Sequence, residues 1–219
     1  MKRLFALILV AVMMLTLAAC GNSAPAESVS EGDSETANST NVQTGGSHML
    51  VAYFSLAGEQ YGVGVIEEGN TSIIAHMIAE QTGADLFEIE AVTPYPTSHS
   101  KLLEVSQQEM SDNARPEIAG TVDNMEDYDT IFIGYPNWWG DMPMIVYNFL
   151  ESYDLSGKTI VPFCTHGGSG LSNTESTIAD ITGGTMKDGF AIPGTTAQND
   201  RDTARSEVTK WLKEVGFVE

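Results

Sequence analysis

Five times along this chain a short apolar run is followed by a stretch whose apolar residues recur at helical spacing, and that alternation restricts the fold more than any other feature. The runs read as strands at 50–54, 85–90, 129–134, 158–163 and 185–191, and the stretches as helices at 70–82, 98–113, 142–151, 169–182 and 203–215. In the first helix Ile73, Ile74, Met77 and Ile78 share one face and Gly83 closes it. Each parallel crossover is right-handed and returns through a helix, so helices must cover both faces of the sheet. The expected fold is α/β, a doubly wound five-stranded parallel sheet in the order 2-1-3-4-5. Its ligand would sit outside the carboxyl ends of strands one and three, where the order reverses.

Ahead of that domain, expected over 47–219, lie two segments of different character. Residues 1–19 place Lys2 and Arg3 before an apolar run from Leu4 to Leu17, the pattern of an export signal and too short for a comfortable membrane span. Leu17-Ala18-Ala19-Cys20 followed by Gly21 looks like a bacterial lipobox, which makes Cys20 the lipid-bearing N-terminus and puts the domain on the extracytoplasmic face of a cell membrane. Residues 20–46 are rich in Ser, Ala, Glu, Thr, Asn and Gly and contain no aromatic side chain, so they read as a disordered tether.

Charge excludes further classes. Loss of Lys2 and Arg3 with the signal leaves eight basic residues against thirty acidic ones, a formal charge of −22. Nucleic acid and anionic lipid headgroups both require basic patches, so neither is an expected partner. With Cys20 lipidated, Cys164 is the only remaining thiol, leaving no internal disulfide and no thiolate metal site. His48, His76 and His99 lack ligand spacing, so no metal is expected.

Three loops carry the candidate chemistry. After strand one, Gly69-Asn70-Thr71 leads directly into a helix, where free N–H groups and the macrodipole attract a phosphate; Asn70 is equally an ordinary helix N-cap. After strand three comes Pro136-Asn137-Trp138-Trp139-Gly140-Asp141, whose adjacent indoles suit stacking on a flat ring, with a core role as the alternative. Asp141 reads either as negative charge near that ring or as the N-cap of the following helix. After strand four comes Thr165-His166-Gly167-Gly168-Ser169, whose glycines let the backbone approach a planar ring edge. His166 is a candidate hydrogen-bond partner or proton donor, or a solvent-facing loop histidine.

On these residues the chain resembles flavodoxins over roughly 50–217. Their phosphate loop is a compact Ser/Thr-x-Thr-Gly-x-Thr turn, matched here by Ser55, Gly69, Asn70 and Thr71. Thirteen residues, 56–68, stand where the compact motif has two. This insertion reads as a lid, a docking loop, or a sign that 55–58 holds the phosphate instead. Tyr135-Pro136-Asn137-Trp138-Trp139-Gly140 and Val161-Pro162-Phe163-Cys164-Thr165-His166-Gly167-Gly168-Ser169-Gly170 are similar to a flavodoxin-like subfamily. The resemblance implies FMN as cofactor, held by the residues named in the three loops, with Trp139 stacked on it and Gly140 able to turn its carbonyl toward flavin N5.

Two other classes fit poorly. Gly62-x-Gly64 lacks the third glycine of a dinucleotide fingerprint, and Ser169 sits in Gly168-Ser169-Gly170 rather than Gly-x-Ser-x-Gly, which disfavours a hydrolase. The expected function is therefore FMN-dependent electron transfer by a tethered protein, with a redox partner protein or a small-molecule acceptor. Two alternatives stay open: an NAD(P)H-dependent FMN oxidoreductase reducing a quinone or other small acceptor, and a non-flavin binding lipoprotein on the same fold.

Overall fold

Residues 48–219 are described by the computed structural model, so the export segment, Cys20 and the tether lie outside the described residues. No helix among the described residues is long and apolar enough to cross a membrane. The chain runs β1 (Met49–Tyr53), β2 (Gly58–Gln60), β3 (Gly64–Ile66), α1 (Asn70–Thr82), β4 (Asp85–Glu88), β5 (Glu90–Ala91), α2 (His99–Asp112) and β6 (Ile118–Ala119). After a 3-10 turn at Met125–Asp127 it continues β7 (Thr130–Pro136), α3 (Met144–Glu151), β8 (Thr159–His166), α4 (Thr174–Thr182), β9 (Thr185–Met186), β10 (Phe190–Pro193), α5 (Gly194–Asn199) and α6 (Arg201–Val215).

The main sheet is parallel in the order β10-β8-β7-β1-β4, the expected 2-1-3-4-5 arrangement. Alternation along the strands divides the core. Leu50, Ala52, Ile131, Ile133 and Tyr135 face one layer with Ile145, Phe149 and Ile178 of α3 and α4. Val51, Tyr53, Phe132, Val161 and Phe163 face the other with Ile73, Ile74 and Ile78 of α1 and Val208, Trp211 and Leu212 of α6. Strand side chains alternate with period two, so burial on both faces makes each run apolar throughout.

Several boundaries differ from the sequence reading for identifiable reasons. The fifth strand is broken into β9 and β10, both paired to β8. Pro162 supplies no N–H in the middle of β8, and Lys187-Asp188-Gly189 passes around it; a Cβ on Gly189 would lie 3.0 Å from Pro162 Cγ. The second strand leaves the sheet after Glu88, and Glu90–Ala91 pairs antiparallel with Ile118–Ala119 instead. Both central strands run longer than expected, to Pro136 and His166, which places Thr165 and His166 at a strand end rather than in a loop. The helix expected from 169 starts only at Thr174, and the one expected from 142 starts at Met144 behind Pro143.

Gly134 is fixed by the same packing. Its partner across β7 and β8 is Phe163, whose ring fills the space a side chain would need: a Cβ there would lie 2.1 Å from Phe163 Cζ. Gly134→Ala should therefore destabilise the domain by about 1–3 kcal/mol or more through overpacking. Chemical denaturation would register this as a lower midpoint at unchanged slope, and an unshifted midpoint would contradict the packing described.

Candidate functional site

A cavity of about 520 Å³ opens at the carboxyl ends of β1, β7 and β8, the place where the strand order reverses. Its first wall is the junction of β1 and α1. Ser55, buried at the end of β1, accepts a hydrogen bond at Oγ from the Ser72 N–H (3.0 Å). Gly69 packs directly over it: a Cβ there would lie 2.2 Å from Ser55 Oγ and 2.7 Å from the Leu56 carbonyl oxygen. The two ends of the insertion thus meet, and the compact turn is rebuilt across thirteen intervening residues. Gly69 caps α1, so Asn70 is the first helical residue rather than the N-cap. The N–H groups of Asn70 and Thr71 donate to no acceptor among the described residues, as the first turn of a helix requires.

Asn70 also supplies the most specific signal of a ligand. Its Oδ1 is buried without a hydrogen-bond partner among the described residues while the residue lines the cavity. Its amide nitrogen sits where a Cβ on Gly194 would approach to 2.4 Å, so Gly194 at the start of α5 must be glycine for Asn70 to hold this position. An orphaned buried carbonyl oxygen costs roughly 1–3 kcal/mol unless a donor reaches it.

The second wall is a tight reversal after β7. The Trp138 N–H donates to the Asp141 carbonyl (2.8 Å) and the Asp141 N–H to the Trp138 carbonyl (3.0 Å). Between them Trp139 and Gly140 have φ of +59° and +82°, the signature of a type I′ turn. Such a turn favours Asn or Gly at its first central position, so a tryptophan there is strained. Trp139 Nε1 donates to Ser106 Oγ of α2 (3.0 Å), yet half of the residue (51 %) stays exposed at the cavity. Trp138 behaves differently. It is half-buried and packs edge-on against Phe54 and Tyr95 at the margin of the core.

Asp141 is not the helix N-cap that its position suggested. Pro143 precedes α3, and the carboxylate instead accepts from its neighbour Met142 N–H (2.8 Å) and from Tyr147 OH (2.8 Å), which anchors the turn; it does not line the cavity. Asn137 ties the walls together. Its Nδ2 donates to the Gly170 carbonyl (2.9 Å), its Oδ1 accepts from Gly140 N–H (3.1 Å), and its own N–H donates to the Thr165 carbonyl (2.8 Å).

The third wall begins at the end of β8. Thr165 is buried, and its hydroxyl bonds Thr71 Oγ1 at 2.8 Å, coupling β8 to the first turn of α1. His166 lines the cavity and accepts the Gly168 N–H at Nδ1 (2.9 Å). Burial lowers its pKa, so near pH 7 the ring is neutral and its proton resides on Nε2, leaving a donor for a ligand. Cys164 donates to the Gly170 carbonyl, and burial pushes its pKa up to about 12, so it is an inert core thiol.

Of the residues singled out in the sequence, Asn70, Pro136, Asn137, Trp138, Trp139, Gly140, Thr165, His166, Gly167 and Ser169 line the cavity. Ser55, Gly69, Thr71, Asp141 and Gly168 stand outside its lining, Thr71 being joined to it through its hydrogen bond to Thr165. The insertion, one of whose sequence readings was a lid, contributes Gln60 and Tyr61; the sequence reading missed Gly194, and His99, Leu102, Leu103 and Ser106 of α2. The amphipathic spacing of α2 shows that a face is covered but not which ligand or loop covers it. No Lys, Arg, Asp or Glu among the described residues lines the cavity. No cluster of metal-ligating side chains occurs among the described residues.

Charge outside the cavity sets the pH response. Burial raises the pKa of Glu88 and of Glu109, with Glu90 adding repulsion at Glu88. At both sites the folded chain binds protons more tightly than the unfolded one, so their contribution is fully present below 4.5 and is lost as pH rises through the folded values. Mutual repulsion among the thirty acidic residues also grows as pH rises, which favours the folded chain at lower pH. His166 opposes this below its ordinary 6.5, while the lowered pKa values of Glu151 and Asp154 oppose it mainly near and below the ordinary carboxylate range, at the lower edge of the interval from about pH 5 to about pH 8. The protein should melt at a higher temperature near about pH 5 than near about pH 8. A calorimetric scan showing the reverse order would refute this balance.

Comparison with known proteins adds a family. The family described as Flavodoxin matches residues 48–215. Among solved structures, a candidate flavoprotein from Bacteroides uniformis is 32% identical, with 77% of this chain and 99% of that chain covered at a TM-score of 0.60. A candidate flavoprotein from Bacteroides eggerthii is 31% identical, with 76% and 96% covered at 0.59. A flavoprotein from Lactobacillus acidophilus, solved in complex with FMN, is 23% identical, with 74% and 97% covered at 0.54, and is similar in fold. No curated protein sequence matches this chain.

Proposed function

The chain belongs to the flavodoxin family, and from that premise we propose that it binds FMN noncovalently and transfers electrons from the outer face of a bacterial membrane, to which lipidated Cys20 tethers it. The observation that carries this reading is the cavity at the strand-order reversal, where the orphaned Asn70 Oδ1 adjoins two helix N–H groups without acceptors. A flavin mononucleotide answers each group. Its phosphate suits the N–H groups of Asn70 and Thr71, its ribityl hydroxyls offer the donor that Asn70 Oδ1 lacks, and its ring suits the exposed Trp139.

The bound flavin supplies reversible one- and two-electron chemistry. The protein's own groups position it and set its surroundings. Asn137 fixes the turn that presents Trp139, and neutral His166 offers Nε2–H to a ring heteroatom. Thr71 and Thr165 lock the floor through their buried hydroxyl pair. Because no cation among the described residues lines the cavity and the mature chain carries −22, the surrounding field disfavours added negative charge on the ring and lowers its potential. The partner is a basic redox protein or a small-molecule acceptor.

An FMN titration followed by absorption and fluorescence tests the cofactor; a protein that leaves excess FMN unbound would support the non-flavin binding lipoprotein instead. Rapid mixing of the loaded protein with NADH or NADPH tests the role, since fast bleaching would establish the oxidoreductase and persistence of the oxidised spectrum the carrier.

A further inference from the structure

Residues 56–68 do not wander: they form a β-hairpin, with β2 and β3 paired antiparallel around the three-residue turn Tyr61-Gly62-Val63. Two strands of three residues are marginal by themselves, so the position of this hairpin depends on its anchors. There are anchors at both ends. Glu59 N–H donates to the Thr97 carbonyl (2.8 Å), and the Glu59 carboxylate accepts the His99 N–H (3.0 Å), capping the first turn of α2 from another part of the chain. At the far end Gln198 donates to the Glu68 carbonyl (2.5 Å) and Arg201 pairs with the Glu68 carboxylate (3.0 Å). Gly58 admits no side chain, because a Cβ there would lie 2.8 Å from the Thr97 carbonyl oxygen.

These anchors hold the turn over the third wall of the cavity. A Cβ on Gly167 would lie 2.8 Å from Tyr61 Cδ1 and 3.0 Å from Cε1, so the glycine leaves room for the tyrosine ring. Tyr61 lines the cavity and is nevertheless 70 % exposed, as Trp139 is exposed on the same cavity. An aromatic ring held in place and left uncovered on a cavity wall is a surface for a flat ligand.

We propose that this hairpin is part of the flavin site, and that Tyr61 contacts the ring and positions it against the third wall. The proposal rests on the flavin reading above and adds a residue from the insertion in the first loop, outside the segments that the sequence reading assigned to the cofactor. It makes the insertion a constituent wall of the site rather than a surface decoration. Tyr61 is a positioning residue here, since it donates nothing to a reaction.

The test uses the mature protein and its Tyr61→Ala and Tyr61→Phe variants, each titrated with FMN and with riboflavin while ring fluorescence and the visible absorption band are followed. Tyr61→Ala should weaken both ligands by about tenfold and by a similar factor, since the contact is to the ring and not to the phosphate. It should also leave the bound ring more fluorescent and shift its absorption band. Tyr61→Phe should restore affinity and spectrum, and thermal melting of the unloaded variants should match the parent because the side chain is exposed. If the parent binds FMN while Tyr61→Ala keeps its affinity and spectrum, the hairpin is outside the site and the proposal is wrong. If the parent binds neither ligand, the flavin reading fails first and this one with it.

Discussion

Gly69→Ala is expected to weaken FMN on the order of a hundredfold while weakening riboflavin much less. The methyl group has nowhere to go: Ser55 Oγ would be 2.2 Å away and the Leu56 nitrogen and carbonyl oxygen 2.8 and 2.7 Å. Since φ at Gly69 is −67°, the objection is to volume alone and not to backbone conformation. Two of the obstructing atoms belong to the backbone, so the strand end and the helix start must separate. That separation carries the Asn70 and Thr71 N–H groups away from a common focus and breaks the Ser55 contact to Ser72. Hydrogen bonds to a charged group are worth about 1.5–3 kcal/mol each, so loosening two of them accounts for the hundredfold. The stability of the unloaded domain should fall by about 1–3 kcal/mol as well. Parallel titrations with the two flavins decide the matter, because equal loss for both would place the phosphate elsewhere, as the alternative at 55–58 would have it.

At Trp139 two substitutions should part company. Both Trp139→Ala and Trp139→Gly remove the exposed indole and should weaken FMN by about 1–3 kcal/mol, the value of a ring stacked on an aromatic side chain. In the unloaded protein, however, the glycine variant should be more stable than the alanine variant by about 1 kcal/mol, because φ at this position is +59° and only glycine adopts it without strain. The indole therefore occupies a position where the backbone favours a smaller residue, held by the Ser106 hydrogen bond and the double backbone pairing of Trp138 and Asp141. Equal denaturation midpoints for the two variants would show that the turn relaxes, and an unchanged FMN dissociation constant would remove the stacking role.

The reach of the sequence can be followed residue by residue. Asn70–Thr82 is visible because Ile73, Ile74, Met77 and Ile78 recur on one face, and it forms with those bounds. The ends of β7 and β8 are harder to see, because Thr165 is polar by type and buried only through its hydroxyl bond to Thr71, 94 positions away. The break in the fifth strand, where β9 ends and β10 begins beside Pro162 of β8, has no counterpart in the strand expected at 185–191. Asn70 looked like a cap and is the first residue of the helix, with Gly69 taking the cap because Ser55 leaves room for nothing larger. Asp141 looked like a cap or a charge beside the ring; Pro143 takes the cap, and Asp141 braces the turn through Met142 and Tyr147.

What the sequence determined by itself was the sheet, its strand order and three of the segments around the cavity. Those follow from hydrophobic period, chain handedness and glycine placement, all of which act over a few residues. The fourth side of the cavity was decided only in three dimensions. Tyr61 reaches Gly167 across more than a hundred positions, and Glu59 caps a helix that begins forty residues later. Such contacts leave no period in the sequence, because a carboxylate and a distant N–H become partners only when the strands between them have brought them together.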